Sequence, residues 1–341
     1  MSYPSASCLK EVSVQSTGKP SVTFVIPVFN DEKNVARCLR SLRNLRFPEQ
    51  EYEVLIVDNG STDRTHHIMR EMGFPFTVID KVHVSALRNH GAMMAQGDFL
   101  AFVDSDVELS TQWLENSLEV FKDQTVVAAG CFPGIPEEAT WVQCTWDIHQ
   151  RGRQKPGAPV PVAWLPSMNL VVRRDVFKAV SGFNERLETA EDVDLCYRLE
   201  RLGTILCTPG MEAKHWGEAH DLPTFWRKEV WRGTGNLRGV FSHGFRWAEL
   251  PSLAYPLYTL ILVMAFLLGC FVEFGQGQLL FSPLSLGLLC LPALLLAIST
   301  ARLARRPAAF PSLFLLYLIY GLARAYSVIR ASLPRGEVKR R

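Results

Sequence analysis

Two stretches in the last third of the chain, Ser252–Val272 and Leu279–Ser299, contain no charged side chain. Each matches the roughly 20 residues that a helix needs to cross a bilayer, and two uninterrupted runs of that length argue against a buried pair of core helices. They divide the sequence. Before about Trp247 the composition is that of a soluble α/β protein, and from Ser252 onward Leu, Ala, Phe and Tyr dominate. The link Glu273–Gln278 has no Lys or Arg, whereas the link after the second run carries Arg302, Arg305 and Arg306. Basic loops stay on the cytoplasmic side. The runs therefore predict a transmembrane helical hairpin in the cytoplasmic membrane with both ends facing the cytosol. A third apolar stretch, Ser312–Arg330, is broken by Arg324, and a span there would put Arg335, Lys339, Arg340 and Arg341 outside. An in-plane or re-entrant helix with a cytosolic tail is expected instead, with a third span as the alternative. Ahead of the hairpin, His220–Trp247 interleaves aromatic and basic residues, among them Trp226, Trp231, Arg238 and Phe241, as interfacial segments do. The expected organisation is a soluble domain over 1–220, an interfacial segment over 221–250 and a membrane anchor over 251–341.

The rest of the composition narrows the possibilities. A net charge of +2 gives no basic surplus for nucleic acid. The eight cysteines are scattered without a Cys-x-x-Cys pair, so neither a zinc site nor a disulfide framework is indicated. The opening MSYPSASCLKEVSVQ lacks the apolar core of a signal peptide. Cys8 reads as an ordinary thiol, and the soluble domain is expected in the cytosol.

Within that domain, Val22–Val28, Glu53–Asp58 and Asp98–Asp104 are short apolar runs ending in polar residues, the pattern of buried parallel strands. Helical spacing lies between them in Asp31–Leu45, Ser85–Gln96 and Ser110–Lys122. Pro166–Arg173 reads as a further strand, Glu191–Gly203 as a helix, and Gly130–Pro166, rich in Pro and Gly, as loops and short elements on an acceptor side. Alternating strands and helices give a doubly wound sheet, which binds ligands at the carboxyl ends of its strands. The polar residues of this chain cluster there.

Asp104-Ser105-Asp106 ends the third strand. Two carboxylates one residue apart can face a single hard cation, which prefers oxygen ligands and leaves positions open for phosphates. By itself such a triplet is more often a solvated turn. Glu191-Asp192 opens a helix, where acidic residues commonly just balance the helix dipole. Asp58 could equally be a turn residue or helix cap, Arg88 a surface charge, and His215 a packed histidine beside Trp216.

The ordered series is what lifts these readings. FVIPVFNDE (Phe24–Glu32), EVLIVDNGSTDRT (Glu53–Thr65), LRNHGAMMAQGDFLAFVDSD (Leu87–Asp106) and LETAEDVDLCYRL (Leu187–Leu199) together resemble family 2 glycosyltransferases of the GT-A fold, over roughly Ser21 to His220. The resemblance implies a GT-A-type, mainly parallel mixed sheet flanked by helices, and inverting transfer of a sugar from a UDP- or GDP-sugar with Mn2+ or Mg2+. It implies that Pro27, Val28 and Phe29 line the nucleotide with Glu32 nearby, that Asp58 bonds the base and that Arg88 meets the diphosphate. Asp104 and Asp106 then form the metal motif, joined by His215, with Asp104 also facing the nucleotide sugar. Asp192 is the base and Glu191 its support. The membrane segments imply a lipid-linked or saccharide acceptor, with polysaccharide biosynthesis as the setting. Two alternatives stay open: a polyprenyl-phosphate sugar synthase, and a non-catalytic membrane scaffold that keeps only the fold.

Overall fold

A computed structural model describes residues 21–151, 157–235, 246–276 and 281–332. Cys8, Arg238, Phe241, Gln278 and the basic tail from Arg335 lie outside the described residues.

Every residue of VTFVIPV is buried, which a strand achieves only at the centre of a covered sheet. This is β1 (Val22–Val28). It runs parallel to β2 (Tyr52–Asp58) on one side and, on the other, to the strand Phe99–Val103. Helix α1 (Val35–Arg43) turns Val35, Leu39 and Leu42 into the core and leads back to β2. Helix α2 (Thr65–Glu71) connects β2 to the edge strand β3 (Phe76–Val78), and α3 (Val84–Met94) leads into β4, the strand Phe99–Val103. A short strand, β5 (Val107–Leu109), and α4 (Trp113–Val120) follow before β6 (Val126–Gly130).

The strand order is β3-β2-β1-β4-β8-β6-β9-β7, with β7 at Val160–Pro161, β8 at Asn169–Arg173 and β9 at Thr204–Cys207. The mixed character comes largely from β8, which is antiparallel to both β4 and β6. Its first residue pins it. Asn169, fully buried, accepts from Trp113 Nε1 at 2.7 Å and donates to the carbonyls of Cys131 and Met211 at 3.1 and 3.2 Å. A second sheet pairs β5 with β10 (Ala213–His215). That pair carries His215 next to the end of β4.

The stretch 130–166 is more ordered than expected. It contains α5 (Trp141–Arg151), whose Val142 and Trp146 are buried against distant parts of the chain. That partner face is invisible to local pattern. The chain then continues through α6 (Arg174–Ala179), α7 (Glu191–Leu199) and α8 (Leu222–Gly233), where Asp221 caps α8 by accepting from Thr224 N at 2.7 Å.

Among the described residues three helices are long and apolar enough to cross a membrane: α9 (Leu250–Gln276), α10 (Phe281–Leu303) and α11 (Phe310–Ser332). The first two form the expected hairpin, and Glu273 fastens its far end by accepting from the backbone N–H groups of Phe281 and Ser282. In α11 44% of the apolar window is buried, against 17% and 28% in α9 and α10. Its contacts explain this. Thr145 and His149 of α5 bond to Ser312 and Tyr317, and Tyr317 also meets Thr300 near the end of α10. Tyr255, near the start of α9, donates to the Tyr317 carbonyl. The third helix is thus wedged between the soluble domain and the near end of the hairpin.

Candidate active site

The carboxyl ends of β1, β2 and β4 open on a cleft lined by Pro27, Val28, Phe29, Asn59, Asp104 and Asp106. Phe29 stands 51% exposed at its rim. The loops on either side are tied together. Asn30 Oδ1 accepts from Thr62 N at 2.8 Å, and Asp31 accepts from Ser105 Oγ at 2.7 Å.

Two residues expected at the nucleotide are also bound into the loop after β2. Asp58 is fully buried, and its oxygens accept from Gly60 N, Ser61 N, Ser61 Oγ and His66 Nε2 at 2.5–2.8 Å. It shapes the loop after β2, and the neighbouring Asn59 lines the cleft. Glu32 is exposed and lines neither cavity described here; its Oε2 accepts from Arg64 N at 3.0 Å and so tethers the start of α2.

Arg88 departs most from expectation. It is 2% exposed and donates to Asp104 Oδ1 at 2.7 Å and to Glu191 Oε1 at 2.9 Å. Both carboxylates hold the guanidinium firmly charged against the cost of its burial. Arg88 therefore bridges the Asp104–Asp106 turn to the Glu191–Asp192 pair, 103 residues further along the chain. The sequence gives each motif separately; the arginine makes them one site.

Glu191 and Asp192 begin α7 directly after Ala190, whose φ of 65° is left-handed. That conformation is costly for a residue with a Cβ and persists only where the surroundings enforce it. Burial, reinforced by the charge of Glu191, pushes the Asp192 carboxyl up to about 7, while the N–H of Val193 and the charge of Arg88 pull the other way. A carboxyl poised near neutrality suits a general base.

On the other side of the cleft His215 Nε2 lies 3.2 Å from Asp106 Oδ2, and His215 Nδ1 lies 3.2 Å from Glu218 Oε1. Glu218 was not anticipated, although its i+3 spacing from His215 in H-W-G-E was the available signal. Burial alone would depress the imidazolium; Asp106 and Glu218 override it and push it up to about 10. Asp106 and Glu218 are themselves held below the ordinary carboxylate range, despite burial, mainly by His215.

These residues fit a hard divalent cation. Asp106 Oδ2 and His215 Nε2, an oxygen and a nitrogen donor, already stand 3.2 Å apart at the cleft. The Glu218–His215 bond supplies the outer carboxylate that orients a metal-ligating histidine. Gly217 closes the cradle: a Cβ there would stand 1.9 Å from Asp106 Oδ2 and 2.8 Å from His215 Nε2. Among the described residues no three His, Cys, Asp or Glu side chains converge on one point. Asp106 and His215, the latter once its Nε2 proton is displaced, would be the protein's share of a cation site. Asp104 is turned to Arg88.

A groove of about 2630 Å³ runs from Asp104 past Asp192 to Arg305, Arg306 and Tyr320 at the base of the membrane helices. That exceeds the ~300–1,000 Å³ of a single small-molecule site.

Residues 23–180 match the model of Glycosyl transferase family 2. Glycosyltransferase AglE of Haloferax volcanii is 31% identical over 194 residues, 51% of this chain and 59% of that protein. Pre-mycofactocin glycosyltransferase of Mycobacterium tuberculosis is 34% identical over 201 residues, 54% of this chain and 40% of that protein. The chain thus spans about half the length of these curated relatives. Among solved structures, the mannosyltransferase PcManGT of Pyrobaculum calidifontis superposes with a TM-score of 0.59 at 14% identity, covering 92% of this chain and 88% of that one. At that identity the likeness concerns the fold. Motifs, sheet and comparisons agree: the chain carries a glycosyl transferase family 2 domain on a GT-A fold, followed by apolar helices long enough to span a membrane.

Proposed function

We propose that the protein is an inverting, metal-dependent hexosyltransferase that moves a sugar from a UDP- or GDP-sugar to an acceptor held at the cytosolic face of the cytoplasmic membrane. The observation that carries this reading is the groove lined together by Asp104, Asp192 and residues at the bases of α9, α10 and α11. The nucleotide lies across the ends of β1 and β2, against Val28, Phe29 and Asn59, and its diphosphate points at Asp106 and His215. Held by Asp106 and His215, Mn2+ or Mg2+ would neutralise the diphosphate and ease its departure. Asp192 accepts the proton of the acceptor hydroxyl while that oxygen bonds to the anomeric carbon from the face opposite the diphosphate. The C–O bond to phosphate breaks, its electron pair leaves with the nucleoside diphosphate, and the configuration inverts. Arg88 holds Glu191 and Asp104 in register for this step. The hairpin raises the effective concentration of a membrane-bound acceptor.

One observation favours a narrower acceptor, a lipid that itself bears phosphate. Arg305 and Arg306 line the acceptor end of the same groove and are exposed. This is the polyprenyl-phosphate reading, and lipid-linked saccharides satisfy it equally.

The test is calorimetric titration of the full chain in lipid nanodiscs with UDP and GDP, with and without Mn2+. GDP belongs in the panel because PcManGT was solved with GDP-Man and Mn2+. The expected result is metal-dependent binding of one nucleotide, lost in Asp106→Ala. Absence of binding by folded protein would favour a non-catalytic scaffold.

A further inference from the structure

A run of buried charges joins helix α11 to the metal cradle. Arg324 of α11, 8% exposed, donates from Nε and Nη2 to Glu229 Oε2 at 3.1 and 2.9 Å. Glu229 of α8, fully buried, accepts from Arg232 Nη1 at 2.8 Å through its other oxygen. The second terminal nitrogen of Arg232 lies 3.6 Å from Glu218 Oε1, the oxygen that His215 Nδ1 reaches at 3.2 Å. His215 Nε2 ends the run at Asp106. The two helices touch directly, since a Cβ on Gly233 would stand 2.2 Å from Ser327 Oγ and 3.1 Å from Arg324 Cδ.

Burying ions costs several kcal/mol each, and well-packed apolar replacements often leave a protein equally or more stable. Stability alone is therefore a weak account of this run. Its geometry offers a stronger one. Arg232 stands between two carboxylates at unequal distances, close to Glu229 and loose on Glu218. If Glu229 lost its charge, Arg232 would turn to Glu218, its other anionic neighbour in the run. Glu218 would then be drawn off His215, and the imidazole would lose the partner that aims Nε2 at the cation. Arg324 neutralises the second oxygen of Glu229 and so fixes it in place.

Resting on the metal-dependent reading above, we propose that Glu229 is a positioning residue for the metal site: together with Arg324 it keeps Arg232 off Glu218, leaves Glu218 to orient His215, and makes metal binding depend on the docking of α11. Because linkage is reciprocal, metal and nucleotide must in turn tighten α11 against α8.

The test measures Mn2+ affinity of the full chain in nanodiscs, in the presence of whichever of UDP or GDP binds, well below the unfolding temperature. Glu229→Gln keeps shape and removes charge. It should weaken Mn2+ binding about tenfold, the lower end for loss of an outer-shell partner. Arg324→Met should weaken it in the same direction, and Arg324→Lys should restore most of the loss. A purely structural pair would lower the unfolding temperature and leave Mn2+ affinity untouched, and that result overturns the proposal. A second readout needs no variant: amide exchange around residue 324 should slow when Mn2+ and nucleotide bind. Unchanged exchange alongside demonstrable Mn2+ binding overturns the coupling. Failure of the wild type to bind Mn2+ and nucleotide at all overturns the transferase reading and this inference with it.

Discussion

As the base of the proposed transfer, Asp192 should leave the sharpest pH signature. Its charged form is disfavoured first by burial and then by Glu191, so it titrates at about 7 where an exposed aspartate would titrate near 4. A base works only when deprotonated. The kcat/KM of the wild type should therefore fall tenfold per pH unit below about 7 and level off above it. Glu191→Gln removes one repulsive charge and releases Arg88 from one of its two carboxylates. Both changes favour the Asp192 anion, so the limb should move to lower pH, though only part of the way, since burial remains. A limb that stays put would assign the titration to another group. Asp192→Asn should reduce turnover by at least about a hundredfold while nucleotide binding survives; normal turnover in that variant would remove Asp192 from the mechanism.

At the scale of elements, the antiparallel strand β8 distinguishes this sheet from a simple doubly wound one, and a single buried polar contact marks its start. Trp113→Phe would leave Asn169 Oδ1 buried without the indole donor it meets at 2.7 Å. The cost should be about 1–3 kcal/mol, read as a lower unfolding temperature of the full chain with little change in nucleotide affinity; an unaltered unfolding temperature would mean that the indole bond adds nothing to the ladders and to the Asn169 bonds with Cys131 and Met211. The same element shows what the sequence discloses. Its apolar run predicts a strand, as do VTFVIPV and EVLIVD, because burial on both faces leaves a continuous hydrophobic signature. Direction and neighbours leave no local mark, so β8's antiparallel insertion could not be read. Helix α5 escaped for a related reason: Val142 and Trp146 pack on residues more than 70 positions away. The site divides in the same way. Asp104, Asp106, Glu191, Asp192 and His215 stand at motif positions. That Arg88 joins two motifs 103 residues apart depends on long-range packing, whereas the contacts of Asp58 with Gly60, Ser61 and His66, and of Glu218 with His215, are local and lacked only a recognisable pattern.

Across the whole molecule, the orientation of the soluble domain relative to the bilayer depends on how α11 lies. If all three apolar helices crossed, the chain would end on the side opposite the active site. The contacts of α11 argue otherwise. Its hydrogen bonds to the hairpin go to Tyr255, near the start of α9, and Thr300, near the end of α10, at the pole where the hairpin meets the soluble domain, while its apolar face packs on Ala293 and Ala297 of α10. Its other partners, Thr145, His149 and Glu229, belong to that domain. A crossing helix would instead follow α9 and α10 along their length, where Ile261, Met264, Leu268 and Phe271 stand exposed as lipid-facing side chains do. A helix lying along the interface also keeps Arg324 out of hydrocarbon, where an arginine costs about 2.5–3.5 kcal/mol or more. It leaves the basic tail on the side of Arg302, Arg305 and Arg306, as charge asymmetry favours. An epitope added after Arg341 should accordingly be reached by antibody only after the cytoplasmic side is opened, together with a cysteine placed in the Arg305–Arg306 link. Labelling of the epitope from the outer face of intact cells would make α11 a third span and detach the groove's acceptor end from the interface proposed for it.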